Sequence, residues 1–126
     1  MNYLIDSNLF IYAALPEKNE AYRFLLSQEY YWYASITLIE VLGYPRLTSP
    51  DEARLKIIFA RGRLLRLSSP IIKKAISLRQ ERKMSLGDAI IGATAWQHQL
   101  ALATRNLDDF KHIHPLVLHN SFEAAS

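Results

Sequence analysis

Apolar runs of three or four residues alternate along this chain with longer stretches in which apolar residues recur every three or four positions. The first kind reads as short buried strands and the second as amphipathic helices. Tyr3-Leu4-Ile5 predicts a strand, and Ser7 can cap a helix over residues 7–14 that Pro16 closes. Residues 17–28 predict a helix with Ala21, Phe24 and Leu25 on one face, and the aromatic residues 31–34 predict a strand. Ser35 caps a short helix through Gly43, and Pro45 prevents its continuation. Ser49-Pro50-Asp51-Glu52 supplies a cap, a proline and two acids for a helix reaching about Gly62. A short strand over 64–67 and a helix from Ser69-Pro70 to about Lys83 follow. Ser85 then caps a helix over 86–99, Ala101 to Ala103 form a strand, and 116–118 form an edge or final strand. Strands this short, separated by whole helices, require crossover connections. The expected fold is therefore α/β: three layers, α/β/α, around a short-stranded and mainly parallel sheet.

At 126 residues the chain is one domain, 1–126, long enough to bury a substantial core. It has no cysteine, which excludes disulfides, thiolate zinc sites and cysteine nucleophiles and fits a reducing compartment. No apolar stretch approaches the ~20 residues of a membrane span. Asp6 interrupts the N-terminal apolar run too early for a signal peptide, so the expected location is cytoplasmic. The net charge of +3 conceals an asymmetry. Ten of the fifteen basic residues, and only one acid, lie between Arg54 and Lys83, leaving the rest of the chain at −6. Solvated helix faces would account for this, as would a polyanion-facing surface beside an acidic pocket.

Four carboxylates stand where carboxylates are least expected. Asp6 ends the first apolar run, Glu40 interrupts 36–42, Asp88 opens the apolar helix, and Asp109 follows the Ala101–Ala103 strand and its loop. Buried carboxylates are costly unless paired, hydrogen-bonded or bound to metal, and several together call for a hard divalent cation. Each acid also has a local explanation. Asp6 could cap the first helix, Asp88 and Glu40 could each complete a capping box with Ser85 or Thr37, and Asp108 and Asp109 could be ordinary loop acids. Tyr30 to Tyr33 could stack bases or fill the core. His98, His112, His114 and His119 form no convincing ligand set, and there is no nucleophile elbow or glycine-rich phosphate loop. A phosphatase using Asp6 as nucleophile would want a second aspartate two positions on, where this chain has Asn8.

Taken in order, Leu4-Ile5-Asp6-Ser7-Asn8, residues 35–43, residues 86–95 and residues 102–110 resemble the PIN-domain nucleases, more narrowly the VapC-type toxins of toxin–antitoxin pairs. The resemblance covers nearly the whole chain. It implies that Asp6, Glu40, Asp88 and Asp109 are the catalytic, metal-binding acids, with Asp108 competing for the fourth place. It implies that Ser7, Thr104 and Asn106 are the surrounding polar positions, Ser7 standing where threonine is common. Arg105 is the basic residue nearest these acids in sequence and a candidate contact for nucleic acid. The implied activity is an endoribonuclease in which Mg²⁺ or Mn²⁺ activates water for in-line attack on an RNA phosphodiester. The implied partners are RNA, a cognate antitoxin and a second copy of the chain in a homodimer, with no membrane. The alternative is a PIN-fold binding or regulatory module with little or no catalysis, which loss of a core acid would favour; none is lost.

Overall fold

A computed structural model describes residues 2–15 and 19–120. The central sheet has five parallel strands: β1 (Tyr3–Ile5), β2 (Trp32–Ala34), β3 (Arg63–Leu65), β4 (Ala101–Ala103) and β5 (Leu118–His119). Their order is β3-β2-β1-β4-β5. The chain thus builds outward from β1 on one side and then crosses to build outward on the other. Leu4 pairs with Trp32 in β2 and with Leu102 in β4.

Side chains alternate between the two faces of a strand, and the two cores follow that alternation. Ile5, Tyr31, Tyr33 and Ala103 point to a layer formed by α1 (Ser7–Ala13), α2 (Glu20–Ser27) and α4 (Ser49–Arg61). Leu4, Ala34 and Leu102 point to the layer of α5 (Ser69–Glu81) and α6 (Leu86–His98). Phe10 anchors the first core, its ring 4.5 Å from that of Phe59 and edge-on to Tyr31 and Tyr33. Two of the four aromatics in the 30–33 run are therefore core residues. Tyr30 and Trp32 lie on the other face at the amino ends of the strands, with the Arg63 guanidinium 4.0 Å from the Tyr30 ring. The remaining helix, α3 (Ser35–Leu42), bridges the layers, sending Val41 into the first core while Ile36 packs on the second.

The three-layer parallel architecture matches the expectation; several boundaries do not. Asp6, rather than Ser7, is the N-cap of α1, and its carboxylate accepts from the Ser7 N–H. Thr48, rather than Ser49, caps α4. The start of α3 has Ala34 as its cap and no side-chain cap bond, so the Ser35 hydroxyl is not a cap. The start of α5 at Ser69 is as expected, with Ser68 in the cap position. Ser49 and Ser69 are already the first helical residues, each followed by proline at the second position, where no intrahelical N–H is required. The third strand begins at Arg63 and the fifth is Leu118–His119, one or two residues away from the apolar peaks. The expected stop at Pro16 and the first residues of the 17–28 helix lie outside the described residues.

Candidate functional site

The crossing between β1 and β4 leaves a crevice at their carboxyl ends, the usual ligand position in an open parallel sheet. Asp6 and Thr104 are the first residues beyond those two strands. The sheet ladder continues one step further, with Asp6 N–H donating to Ala103 O at 3.0 Å and Thr104 N–H to His119 O at 2.9 Å. Their side chains consequently meet: Thr104 Oγ1 donates to Asp6 Oδ2 at 2.8 Å, and Ser7 N–H donates to Oδ1 at 2.8 Å. Thr104 is fully buried and its hydroxyl also accepts from Asn106 N–H at 2.9 Å, which commits its single proton to Asp6.

Asp6 is only 4% exposed. Burial pushes its pKa from 3.8 to about 6, against the Thr104 hydrogen bond, and the charges of Asp88 and Glu40 push the same way as burial. Asp88 is half-buried, and its carboxyl is raised by burial first, then by Asp109 and Glu40, with the Ser85 hydroxyl opposing. Half of the anticipated capping box forms: Asp88 N–H donates to Ser85 Oγ at 3.1 Å. The backbone N–H of Ser85 is not a partner of the Asp88 carboxylate, which instead lines a cavity of about 310 Å³ with Asp109. Both residues play two parts, helix start and site.

Glu40 projects from the second turn of α3. Its Oε1 lies 2.7 Å from Ser7 Oγ, which is also 3.0 Å from the buried Thr37 Oγ1. A hydroxyl has one proton and a carboxylate only accepts, so Ser7 donates to Glu40. Thr37 is not a helix cap here; it stands one turn before Glu40 and braces the serine that orients it. Gly87 completes the arrangement, because a Cβ at that position would collide with Glu40 Oε2.

Asp109 closes the short 3₁₀ turn η1 (Leu107–Asp109), where it faces Asp88 across the cavity and raises its pKa. Asp108 points to solvent and pairs with Lys111 at 3.0 Å. Of the two, Asp109 is the acid that belongs to the cluster. Asn106 contributes its backbone N–H, and Arg105 sits with its guanidinium 5.0 Å from the Tyr12 ring, lining a second cavity with Asn106, Asp109 and Asn120. The sequence pattern did not assign to the site Thr37 or the basic pair Arg82 and Lys83, which line the Asp88–Asp109 cavity. The position of Thr37 three residues before Glu40 was the available signal for the first.

Among the described residues, none of the four acids forms an ion pair. Nor do any three acidic or histidine side chains among the described residues stand close enough to clasp one metal ion as they are placed. The arrangement is a loose ring of mutually repelling carboxylates with Asp6 as its fixed, buried member.

The PIN domain family model matches residues 3–114. This chain belongs to the PIN domain family. As a PIN domain it is similar to several solved structures over almost its full length. A toxin–antitoxin complex from Klebsiella pneumoniae contains a chain 31% identical, with a TM-score of 0.76 and coverage of 94% of this chain and 97% of that one. VapBC2 from Rickettsia felis, bound to a DNA fragment from its promoter, gives 23% identity and a TM-score of 0.80 over 95% and 98%. Mycobacterium tuberculosis VapC20, a sarcin–ricin-loop-cleaving toxin, gives 15% and 0.68 over 87% and 93%. The last two likenesses concern the fold. No curated protein sequence matches the chain.

Proposed function

We propose that this PIN domain is a metal-dependent endoribonuclease and the toxin of a VapBC-type toxin–antitoxin pair. The observation that carries the reading is Asp6: a buried carboxylate at the carboxyl end of the central strand, charge-coupled to Asp88 and Glu40 and paired with no basic side chain among the described residues. The similarity to the Klebsiella pneumoniae chain supports the toxin role, and the fold shared with an RNA-cleaving toxin supports RNA as substrate.

The donor set is all oxygen, which suits Mg²⁺ or Mn²⁺ better than softer ions. Asp6 and Asp88 would hold the ion directly, and Asp109 would act directly or through water. Glu40 would bind the ion or orient the attacking water. When bound, such an ion supplies Lewis acidity, bringing the pKa of water toward neutrality and offsetting charge on the phosphoryl group. The protein's own part is positional. Thr104 and the Ser7 N–H hold both oxygens of Asp6, Ser7 Oγ holds Glu40, and the first turn of α6 holds Asp88. Water attacks phosphorus in line and the P–O3′ bond breaks, leaving a 5′-phosphate and a 3′-hydroxyl.

An active ribonuclease of this kind requires a partner that covers the acidic crevice, which is the antitoxin's role in this reading. The chain is expected to work in the cytoplasm as a homodimer; no helix among the described residues is long and apolar enough to cross a membrane. The decisive experiment treats purified protein and an Asp88→Asn variant with chelator, then offers Mn²⁺ or Mg²⁺ and a panel of structured RNAs. Cleavage by the parent alone, on the order of 100-fold or more above the variant, is the expected result. Equal cleavage by both would remove the site assignment, and silence from an antitoxin-free parent would favour a binding module.

A further inference from the structure

The cavity shared by Asp88 and Asp109 has a second wall that carries positive charge. Its lining is Arg82, Lys83, Met84, Ser85, Asp88 and Asp109. Two cations and two carboxylates in one cavity of about 310 Å³ would ordinarily pair off. Here they do not: neither Arg82 nor Lys83 forms an ion pair with a described residue. The positive field of Arg82 is instead felt on the other side. His112 is made harder to protonate first by burial and then by that guanidinium.

The wall is also braced. Arg82 and Lys83 follow the last turn of α5, and the Arg82 N–H still donates to Leu78 O at 3.4 Å. One turn earlier, Arg79 Nε donates to Met84 O at 3.3 Å across the connection to α6. Ser85 then caps α6 and places Asp88 three residues on. A single short connection therefore fixes the spacing between the two cations and the acid. At the lower end of the ~300–1,000 Å³ typical of ligand sites, the cavity suits one backbone unit rather than a stack of bases.

We propose that Arg82 and Lys83 form a phosphate subsite that holds an RNA backbone phosphate next to the scissile one. The proposal rests on the nuclease reading above and adds to it the group that sets the substrate's register. A guanidinium can hold two phosphate oxygens in a fixed orientation, while the lysine adds a mobile point charge. With the neighbouring phosphate held against the α5–α6 connection, the scissile phosphate is placed over Asp88 and Asp109. The subsite touches the substrate away from the reacting atoms, so its removal weakens binding and leaves the chemical step intact.

The test compares the parent with an Arg82→Gln/Lys83→Gln double variant. A control variant, Arg66→Gln/Lys73→Gln, removes two exposed charges from the same basic segment away from the cavity. Binding of a fluorescein-labelled stem-loop RNA is measured by anisotropy in chelator across a salt series, and cleavage is followed after addition of Mn²⁺. The cavity variant should bind on the order of tenfold more weakly, with a salt dependence shallower by ~0.7, the slope expected for one single-strand phosphate no longer neutralised. Its KM should rise by a similar factor while kcat holds, and the control should change little. Equal weakening in both variants would overturn the subsite in favour of a general basic surface. Parental binding and KM in the cavity variant would overturn it while leaving the nuclease intact. Selective weakening of binding in a protein whose parent cleaves nothing would support the subsite and sink the nuclease reading.

Discussion

Asp6 is held by two hydrogen bonds that favour its ionised form, yet its pKa rises to about 6. Burial and the neighbouring acids outweigh those bonds. Because the folded value lies above the ordinary 3.8, the folded protein holds this proton more tightly than the unfolded chain does. The resulting stability is fully present below about pH 3.8 and is lost as pH rises through about 6. At ~1.4 kcal/mol per pH unit, the gap amounts to about 3 kcal/mol against the fold at neutral pH. Metal-free Asp6→Asn protein should therefore be more stable than the parent at about pH 7.5 by ~1–3 kcal/mol, since asparagine can still bond to Ser7 and Thr104. That advantage should shrink as pH falls below about 6. Urea titrations in chelator on either side of that value measure both effects. An Asp6→Asn protein less stable above neutrality would show that the carboxylate is a structural anchor rather than a strained ligand.

At the level of helices, the same residues mark an element's start and equip the site. Ser85 caps α6, Asp88 lies in its first turn, and Gly87 between them clears the space that the Glu40 carboxylate occupies. Gly87→Ala separates these duties. Alanine favours the helix by up to ~1 kcal/mol, and the atom it meets is the far end of a flexible glutamate that can swing away. Stability should stay level or rise slightly, while Mn²⁺-dependent cleavage falls on the order of tenfold or more because Glu40 leaves Ser7. Thermal unfolding and cleavage rates together decide it, and full activity would show that Glu40 need not stand beside α6. The helices themselves were legible because apolar spacing, proline and serine signals agree. The cap of α4 shifted by one residue because Ser49, before proline, is already helical and Thr48 takes the cap position, whereas α5 starts at Ser69 as expected. The last strand lies slightly later than its apolar signal, since Leu116 closes a turn through Ile113, Val117 O accepts from Leu102 N–H, and Leu118 and His119 pair with Leu102 and Ala103 in β4.

Across the whole molecule, the topology brings together acids that are up to 103 positions apart, from Asp6 to Asp109. Sequence patterning singled out Asp6, Glu40 and Asp88, because a carboxylate that interrupts or ends an apolar run is visible locally, whereas Asp109 is a loop acid that only the family resemblance set apart from Asp108. The companions that a fold creates were not visible in the same way. Ser7 joins Thr37 and Glu40 only because α1 and α3 pack side by side, and Arg82 comes to line one cavity with Asp109 only through the fold. A cation bound by this ring would tie the end of β1 to the second turn of α3, the start of α6 and η1, so its binding energy would count toward global stability. Free Mn²⁺ at about 100 times its dissociation constant should add about 2.7 kcal/mol. For a chain of this length that is a rise in Tm on the order of 10 °C. Calorimetry with and without chelator measures the shift, and an Asp6→Asn/Asp88→Asn double variant should lose it. An equal rise in that variant would place the stabilising ion elsewhere on the surface. No rise in the parent would mean that the carboxylates remain apart, as loosely as they stand here, even when a divalent cation is offered.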